Sequence, residues 1–320
     1  MLGRRCQPMT RLPTPAERRA AALQALFVTF LWSTSWVLIR WGLRDMPPLT
    51  FAGLRYALAS AILLAVMAAG GGRRPADAPR PARPWGRLVL LGLVFYTCTQ
   101  GAQFLALSML PAATVSLFLA GTPLLVAAAS MVWLREPASG LQWVGALLLL
   151  AGAAVYLGAD DLGDLRSGLW IALFAVAANA GGALLGRGIH RTRELGALEV
   201  TALSMGIGSA ALLAAGRLLE PWPRLGPQSW AILLWLAVVN TALAFWLWSH
   251  TQRLLSATES SVLNNTMLLQ IALLAWLVLG EALSRRQVAG LVAAALGAAV
   301  VQWAPHARTR KGPWHSGGSS

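Results

Sequence analysis

Leu134 to Val155 reads LREPASGLQWVGALLLLAGAAV, and Leu279 to Val300 reads LGEALSRRQVAGLVAAALGAAV. Leu134, Glu136, Ser139, Gln142, Gly145, Gly152, Ala153, Ala154 and Val155 return without a gap as Leu279, Glu281, Ser284, Gln287, Gly290, Gly297, Ala298, Ala299 and Val300, at a fixed offset of 145 residues. The chain is a duplication. Counting apolar stretches outward gives five for each copy, and an odd number places the second copy upside down across a membrane relative to the first.

A membrane is the solvent that the composition requires. Of the 320 residues, 57% are hydrophobic, 12% are charged and 15 are tryptophan, more apolar surface than one soluble core of this size hides. The ten stretches are Ala20 to Ile39, Leu49 to Ala69, Leu88 to Leu107, Ala112 to Leu134, Leu141 to Gly158, Gly168 to Leu185, Leu198 to Ala215, Trp230 to Trp248, Ala257 to Leu279 and Val288 to Trp303. Each is near the roughly 17 to 25 residues with which a helix crosses the bilayer core. Continuous Leu- and Ala-rich runs without period-two alternation point to helices rather than to a barrel. The expected fold is therefore an all-α integral membrane protein with ten transmembrane helices in two inverted repeats of five.

The net charge of +14 would suit a nucleic-acid partner in a soluble protein, but the basic residues follow topology. With a cytoplasmic N-terminus, 18 of the 26 fall in inner segments, seven in outer ones, and Arg55 lies inside a span. The outer segments also receive the cluster Asp160, Asp161 and Asp164. Both termini are thus expected on the cytoplasmic side of the cell membrane. Residues 1 to 19 read as a basic tail, 20 to 158 as the first repeat, 168 to 303 as the second and 304 to 320 as a disordered tail. Gly70 to Pro84, rich in Gly, Pro and Arg, reads as a cytoplasmic linker. The first apolar stretch runs on to Trp41 without a cleavage site and is expected to stay as a span. Cys6 and Cys98 imply no disulfide framework.

Ser139-x-x-Gln142 and Ser284-x-x-Gln287 are capping boxes, placing helix starts at spans five and ten. Gly145 and Gly152, like Gly290 and Gly297, are seven apart and share a helix face that permits close backbone approach. That face serves either packing within the chain or a homodimer contact. Pro123 in the fourth span removes a backbone donor and is expected to kink it, whereas its counterpart at the repeat offset is Leu268.

The chain resembles the EamA-type carriers of the drug/metabolite transporter superfamily. The resemblance rests on Leu31-Trp32-Ser33-Thr34-Ser35-Trp36, then Pro47-Pro48-Leu49-Thr50-Phe51 and Leu54-Arg55-Tyr56 in the first copy. In the second copy it rests on Leu263-Asn264-Asn265-Thr266-Met267-Leu268, leading to Leu279-Gly280-Glu281. It covers nearly everything from Ala20 to Trp303, although the family's Gly-Glu is Arg135-Glu136 in the first copy. It implies a ten-helix secondary carrier that moves a small polar metabolite, an amino acid, amine or related compound, in the direction of export.

Polar residues within spans are the candidate site. Tyr96, Gln100, Gln103 and Leu107 fall at i, i+4, i+7 and i+11, one face of an α-helix. Asn179 lies in span six, Asn240 and Thr241 in span eight, and Ser261, Asn264, Asn265 and Gln270 in span nine. Amides offer both donor and acceptor without a buried charge, which suits zwitterionic or polar solutes, and tryptophans such as Trp32 supply apolar walls and faces for a cation. At the repeat offset Tyr96, Gln100 and Gln103 map onto Thr241, Phe245 and Trp248, so the two halves are expected to flank one cavity. The same amides could instead cross-link helices.

Arg55 is expected to snorkel outward, either anchoring span two and pairing with carbonyls at the outer end or attracting a substrate carboxylate. Glu259 is expected in an interfacial ion pair near His250 and Arg253. No Asp or Glu lies deep in a span, so exchange and facilitated diffusion are as compatible with the sequence as proton antiport. The motifs of a zinc protease and of a serine nucleophile are absent, as is a nucleotide-binding loop. No enzyme activity, cofactor, metal, nucleotide or nucleic acid is therefore expected. The bilayer and a small-molecule solute are the expected partners. A lipid-carrier flippase or an accessory membrane subunit is the alternative reading.

Overall fold

A computed structural model describes residues 14–69, 84–134, 139–158, 166–192, 195–251, 254–255 and 257–303. Most of the basic N-tail, the linker, Glu136 and the C-tail lie outside the described residues. Among those described, every element is helical.

The first repeat comprises α1 (Pro15–Gly42), α2 (Pro48–Ala69), a third span, a fourth span and α7 (Gly140–Leu157). The third span joins α3 (Trp85–Leu91), a π-helical stretch Gly92–Gln100 and α4 (Gly101–Met109), and the fourth is α5 (Ala112–Leu119) followed by α6 (Thr122–Leu134). The second repeat comprises α8 (Arg166–Thr192), α9 (Ala197–Leu219), a composite span, α12 (Ala257–Leu279) and α13 (Arg285–Trp303). The composite span is α10 (Pro227–Ala237), a π-helical stretch Val238–Leu243 and α11 (Ala244–Thr251). Nine spans among the described residues are long and apolar enough to cross a membrane, and α13 packs along α7 beside them. Large side chains such as Leu147, Trp170, Phe174, Trp246 and Leu277 are exposed on the outside of the bundle. A multi-pass membrane protein turns that surface to lipid.

The two repeats are inverted. Close packing sets Gly145 against Gly297 and Val301, and Gly152 against Gly290 and Ala294, so the equivalent helices α7 and α13 run antiparallel. A Cβ on Gly145 would lie 2.7 Å from the Val301 nitrogen and 2.9 Å from the Gly297 carbonyl oxygen. Only glycine allows the two backbones this approach. The stripe is therefore used within the chain, and the homodimer contact considered for it from the sequence is displaced by that pairing. Both capping boxes form: Ser139 and Gln142 exchange bonds of 2.9 and 3.3 Å, and Ser284 and Gln287 bonds of 2.9 and 3.2 Å.

Spans two and seven form a second antiparallel pair. Gly216 packs on Thr50, Gly53 on Leu213, and Ser60 Oγ donates to the Ala202 carbonyl at 2.8 Å. The fourth span breaks between α5 and α6, one turn around Gly121 preceding Pro123, as proline's missing donor requires. Its counterpart α12 continues unbroken through Leu268.

Candidate functional site

The site begins with the two π-helical stretches. Gly92–Gln100 in span three and Val238–Leu243 in span eight overlap at the repeat offset, so the duplication has kept a widened turn in both copies. In a π-helix the backbone bonds reach five residues back, and such insertions are frequent at functional sites. Threonine hydroxyls follow the same reach: Thr99 Oγ1 donates to the Val94 carbonyl at 3.0 Å and Thr241 Oγ1 to the Leu236 carbonyl at 2.8 Å. The π-helical stretch of span three packs on α8 and α9, and the spans flanking Val238–Leu243 pack on α1 and α2. Those are equivalent neighbours under the duplication.

Widening the turn alters the face expected from an α-period. Tyr96 and Gln100 still converge, because both reach Tyr56 of α2. The Tyr56 hydroxyl donates to Gln100 Oε1 at 2.6 Å, and the Tyr56 and Tyr96 rings meet edge-on with centroids 5.7 Å apart. Gln103, beyond the π-helical stretch, is half-buried and Leu107 is buried. Tyr56 was not singled out from the sequence, although it stands next to Arg55 in the Leu54-Arg55-Tyr56 motif.

Arg55 does not snorkel. It is 6% exposed, its guanidinium lies 5.1 Å from the centroid of the Tyr56 ring, and Nη2 donates to Thr241 Oγ1 across a long 3.4 Å. Distance along the helix from the outer surface suggested an escape route, but the side chain leaves α2 on the face turned to span eight. It thereby joins Tyr56, Tyr96 and Gln100 to the second half of the molecule.

The other candidates fall into separate networks. Asn240 Nδ2 donates to Thr34 Oγ1 at 3.0 Å, to Ser35 Oγ at 2.9 Å and to the Leu31 carbonyl, tying span eight to α1. Trp32 packs on Phe245 and Trp248, with ring centroids 5.6 and 5.1 Å away, forming an aromatic wall between the same two spans. Gln270 accepts from Ser33 Oγ at 2.9 Å and donates to Thr29 Oγ1 at 3.3 Å and Thr266 Oγ1 at 3.0 Å. That network joins α12 to α1. Asn179 donates to Thr122 Oγ1 at 3.1 Å, fastening span six to the break in the fourth span. Asn265 accepts from Gln302 at 2.9 Å, whereas Asn264 is exposed and outside these networks. The side chain of Ser261 lies outside the described residues.

Two carboxylates organise the end of the bundle away from the N-terminus. Gly280 has φ of +69°, a left-handed conformation that ends α12 and turns the chain, with the Glu281 amide donating to the Ala275 carbonyl at 3.1 Å. Glu281 then accepts from the Ala112 amide at 3.0 Å and the Ala113 amide at 3.5 Å, capping α5. A carboxylate there satisfies unpaired donors and the positive end of the helix dipole. Glu220 likewise caps α2 through the amides of Leu49 at 2.8 Å and Thr50 at 2.9 Å. Glu281 also borders a cavity of about 330 Å³ with Arg40, Leu43, Arg44, Ser108 and Leu279, where spans one, three and nine converge. At the opposite end Glu259 is in an ion pair with Arg18 of α1 at 2.6 Å, and Arg253, expected near it, lies outside the described residues. Glu259 and Arg18 are substantially exposed, so the pair contributes no more than about 1 kcal/mol.

A model of the EamA-like transporter family matches residues 19–158 and again residues 166–303. The transporter YvbV of Bacillus subtilis (strain 168), itself uncharacterized, is 29% identical over 239 residues, 74% of this chain and 72% of the relative. An S-adenosylmethionine/S-adenosylhomocysteine transporter of Chlamydia trachomatis serovar L2 is 27% identical over 265 residues, 79% of this chain and 80% of the relative. One solved crystal structure superposes with a TM-score of 0.64 at 22% identity, covering 88% of this chain and 96% of the other. That likeness concerns the fold.

Proposed function

The chain belongs to the EamA-like transporter family and is a membrane transporter, and from that premise we propose that it is a secondary carrier for a small polar metabolite, working by alternating access in the direction of export. The two inverted halves rock about a shared midplane site. Both termini face the cytoplasm in this reading, so the cavity beside Glu281 is the outer vestibule. The observation that carries the proposal is the cluster of Tyr56, Tyr96, Gln100, Arg55 and Thr241, in which polar and aromatic groups of the first half meet Thr241 of the second beside paired π-helical stretches.

In this reading Tyr96, Gln100, Gln103 and Arg55 touch the solute, with Asn240 and the Trp32 wall completing its surroundings. Asn179, Asn265 and Gln270 fasten helices to one another. An interhelical hydrogen bond in a membrane is worth about 0.6 kcal/mol on average, so such links open without a large penalty when the halves move. The solute is an amino acid, an amine or a related compound, and the Chlamydia relative's S-adenosylmethionine joins the candidates because it combines amino-acid and cationic chemistry.

Purified protein in liposomes loaded with a broad metabolite mixture tests the proposal. Selective release of one solute class over protein-free liposomes is the expected result. Release of no solute, together with lipid scrambling between leaflets, would replace the carrier with a flippase.

A further inference from the structure

Arg55 is a cation in a part of the molecule that contains no described anion. Its Nε is fully enclosed and has no hydrogen-bond partner, and the contact from Nη2 to Thr241 is long and made to a hydroxyl whose own proton is given to Leu236. Among the described residues its charge meets no carboxylate: Glu17 and Glu259 lie at one end of the bundle, and Asp45, Glu220 and Glu281 at the other. Glu199 opens α9. The face of the Tyr56 ring offsets only part of a charge's desolvation. A buried guanidinium left this way destabilises the empty protein, since its donors and charge have been taken from water without replacement.

Such a group is retained where something outside the chain completes it. We infer that Arg55 is the specificity-determining counter-charge of the transport site, selecting solutes that present a single carboxylate. This rests on the carrier reading above. Arg55 is the one basic member of the cluster it forms with Tyr56, Tyr96, Gln100 and Thr241, so the site offers one positive charge. One guanidinium matches a carboxylate monoanion in charge and in planar, two-pronged geometry, whereas a phosphate dianion would leave charge uncompensated. Tyr56 and Tyr96 stand beside it to pack the body of the solute, and Gln100, already bonded to Tyr56, offers an amide to its polar groups. A purely structural Arg55, which fastens α2 to span eight through Thr241, would instead stabilise the empty protein.

Thermal melting of the purified full-length chain separates the two roles. The probes are an equimolar set of L-amino acids and the matching set of L-amino acid amides, which differ only in the carboxylate. The acids are expected to raise the melting temperature of the wild type while the amides leave it unchanged. Arg55→Gln should lose the response, with apparent affinity falling about tenfold or more, the loss of one charge-assisted bond. Without ligand, Arg55→Gln should melt at or above the wild-type temperature. Arg55→Lys keeps the charge but not the fork, and should retain the preference for acids with weakened affinity; this variant decides the matter if Arg55→Gln fails to fold. Equal responses to acids and amides, no response to either, an acid response that survives Arg55→Gln, or an undiminished affinity in Arg55→Lys would overturn the inference. Flux of the same sets from liposomes judges the carrier separately. Acids and amides moving equally would remove the counter-charge and leave the carrier, while an acid-specific melting shift without flux would do the reverse.

Discussion

Gly152→Ala and Gly297→Ala are each expected to lower stability by about 3 kcal/mol and to cut recovery of folded protein from the membrane, while Gly140→Ala leaves both nearly unchanged. The sign is informative because alanine is intrinsically better than glycine inside a helix by about 1 kcal/mol. Close approach has to overcome that gain. A Cβ on Gly297 would sit 2.7 Å from the Gly145 carbonyl oxygen and 2.8 Å from the Leu149 Cα, and one on Gly152 would sit 2.6 Å from the Gly290 carbonyl oxygen. These are backbone atoms of a partner helix, which cannot swing aside as a side chain does. Relief requires α7 and α13 to separate, and with them the contact along which the two repeats face one another. Gly140 has nothing within 4 Å of its would-be Cβ. Thermal melting in detergent, read by size-exclusion chromatography, measures the difference. Wild-type stability in Gly152→Ala would mean that the antiparallel pairing is wrong.

Gln100→Leu and Tyr56→Phe are expected to reduce transport about tenfold or more while the protein remains folded. Both remove the bond from the Tyr56 hydroxyl to Gln100, and Gln100→Leu also removes the amide that the solute would use. The magnitudes discriminate between site and cross-link. A lost interhelical bond accounts for about 0.6 kcal/mol of stability, whereas a tenfold loss of rate corresponds to about 1.4 kcal/mol at the transition state. Flux normalised to membrane abundance, measured beside the melting temperature, gives both quantities. Asn264→Ala, on the exposed side of α12, is the comparison and should transport normally. Unchanged flux in Gln100→Leu would remove the cluster from the transport path.

The duplicated stretches exposed the architecture because repeated glycines and capping boxes have physical roles that depend on position along the chain. Gly145, Gly152, Gly290 and Gly297 are needed at one crossing, and Ser139 and Ser284 at two helix starts, so spacing alone located them. Pro123 marked the break in the fourth span for the same reason. What the sequence concealed was direction around a helix axis. Arg55 was placed by its height below Leu49, and height does not tell whether a side chain turns to lipid or to span eight. The face of Tyr96, Gln100 and Gln103 was drawn with an α-period through a segment that is π-helical, and nothing in GLVFYTCTQ announces the wider turn. Long-range partners were equally hidden. Glu281 was visible as a repeated residue but its capping of α5 was not, and Arg18 was an unforeseen partner for Glu259. Asn264 and Asn265 are adjacent in sequence and differ in fate because consecutive helical residues point about 100° apart.

The central claim is that the two halves move against one another around the site, and a reversible cross-link across the cavity beside Glu281 tests it most directly. Ser108 at the end of α4 and Leu279 at the end of α12 line the same cavity from different repeats. In a background carrying Cys6→Ser and Cys98→Ser, the pair Ser108→Cys and Leu279→Cys is treated with a short disulfide-forming bifunctional reagent, and flux is followed in liposomes. The account predicts that complete cross-linking stops flux and that reduction restores it. Undiminished flux through fully cross-linked protein would contradict alternating access between the halves.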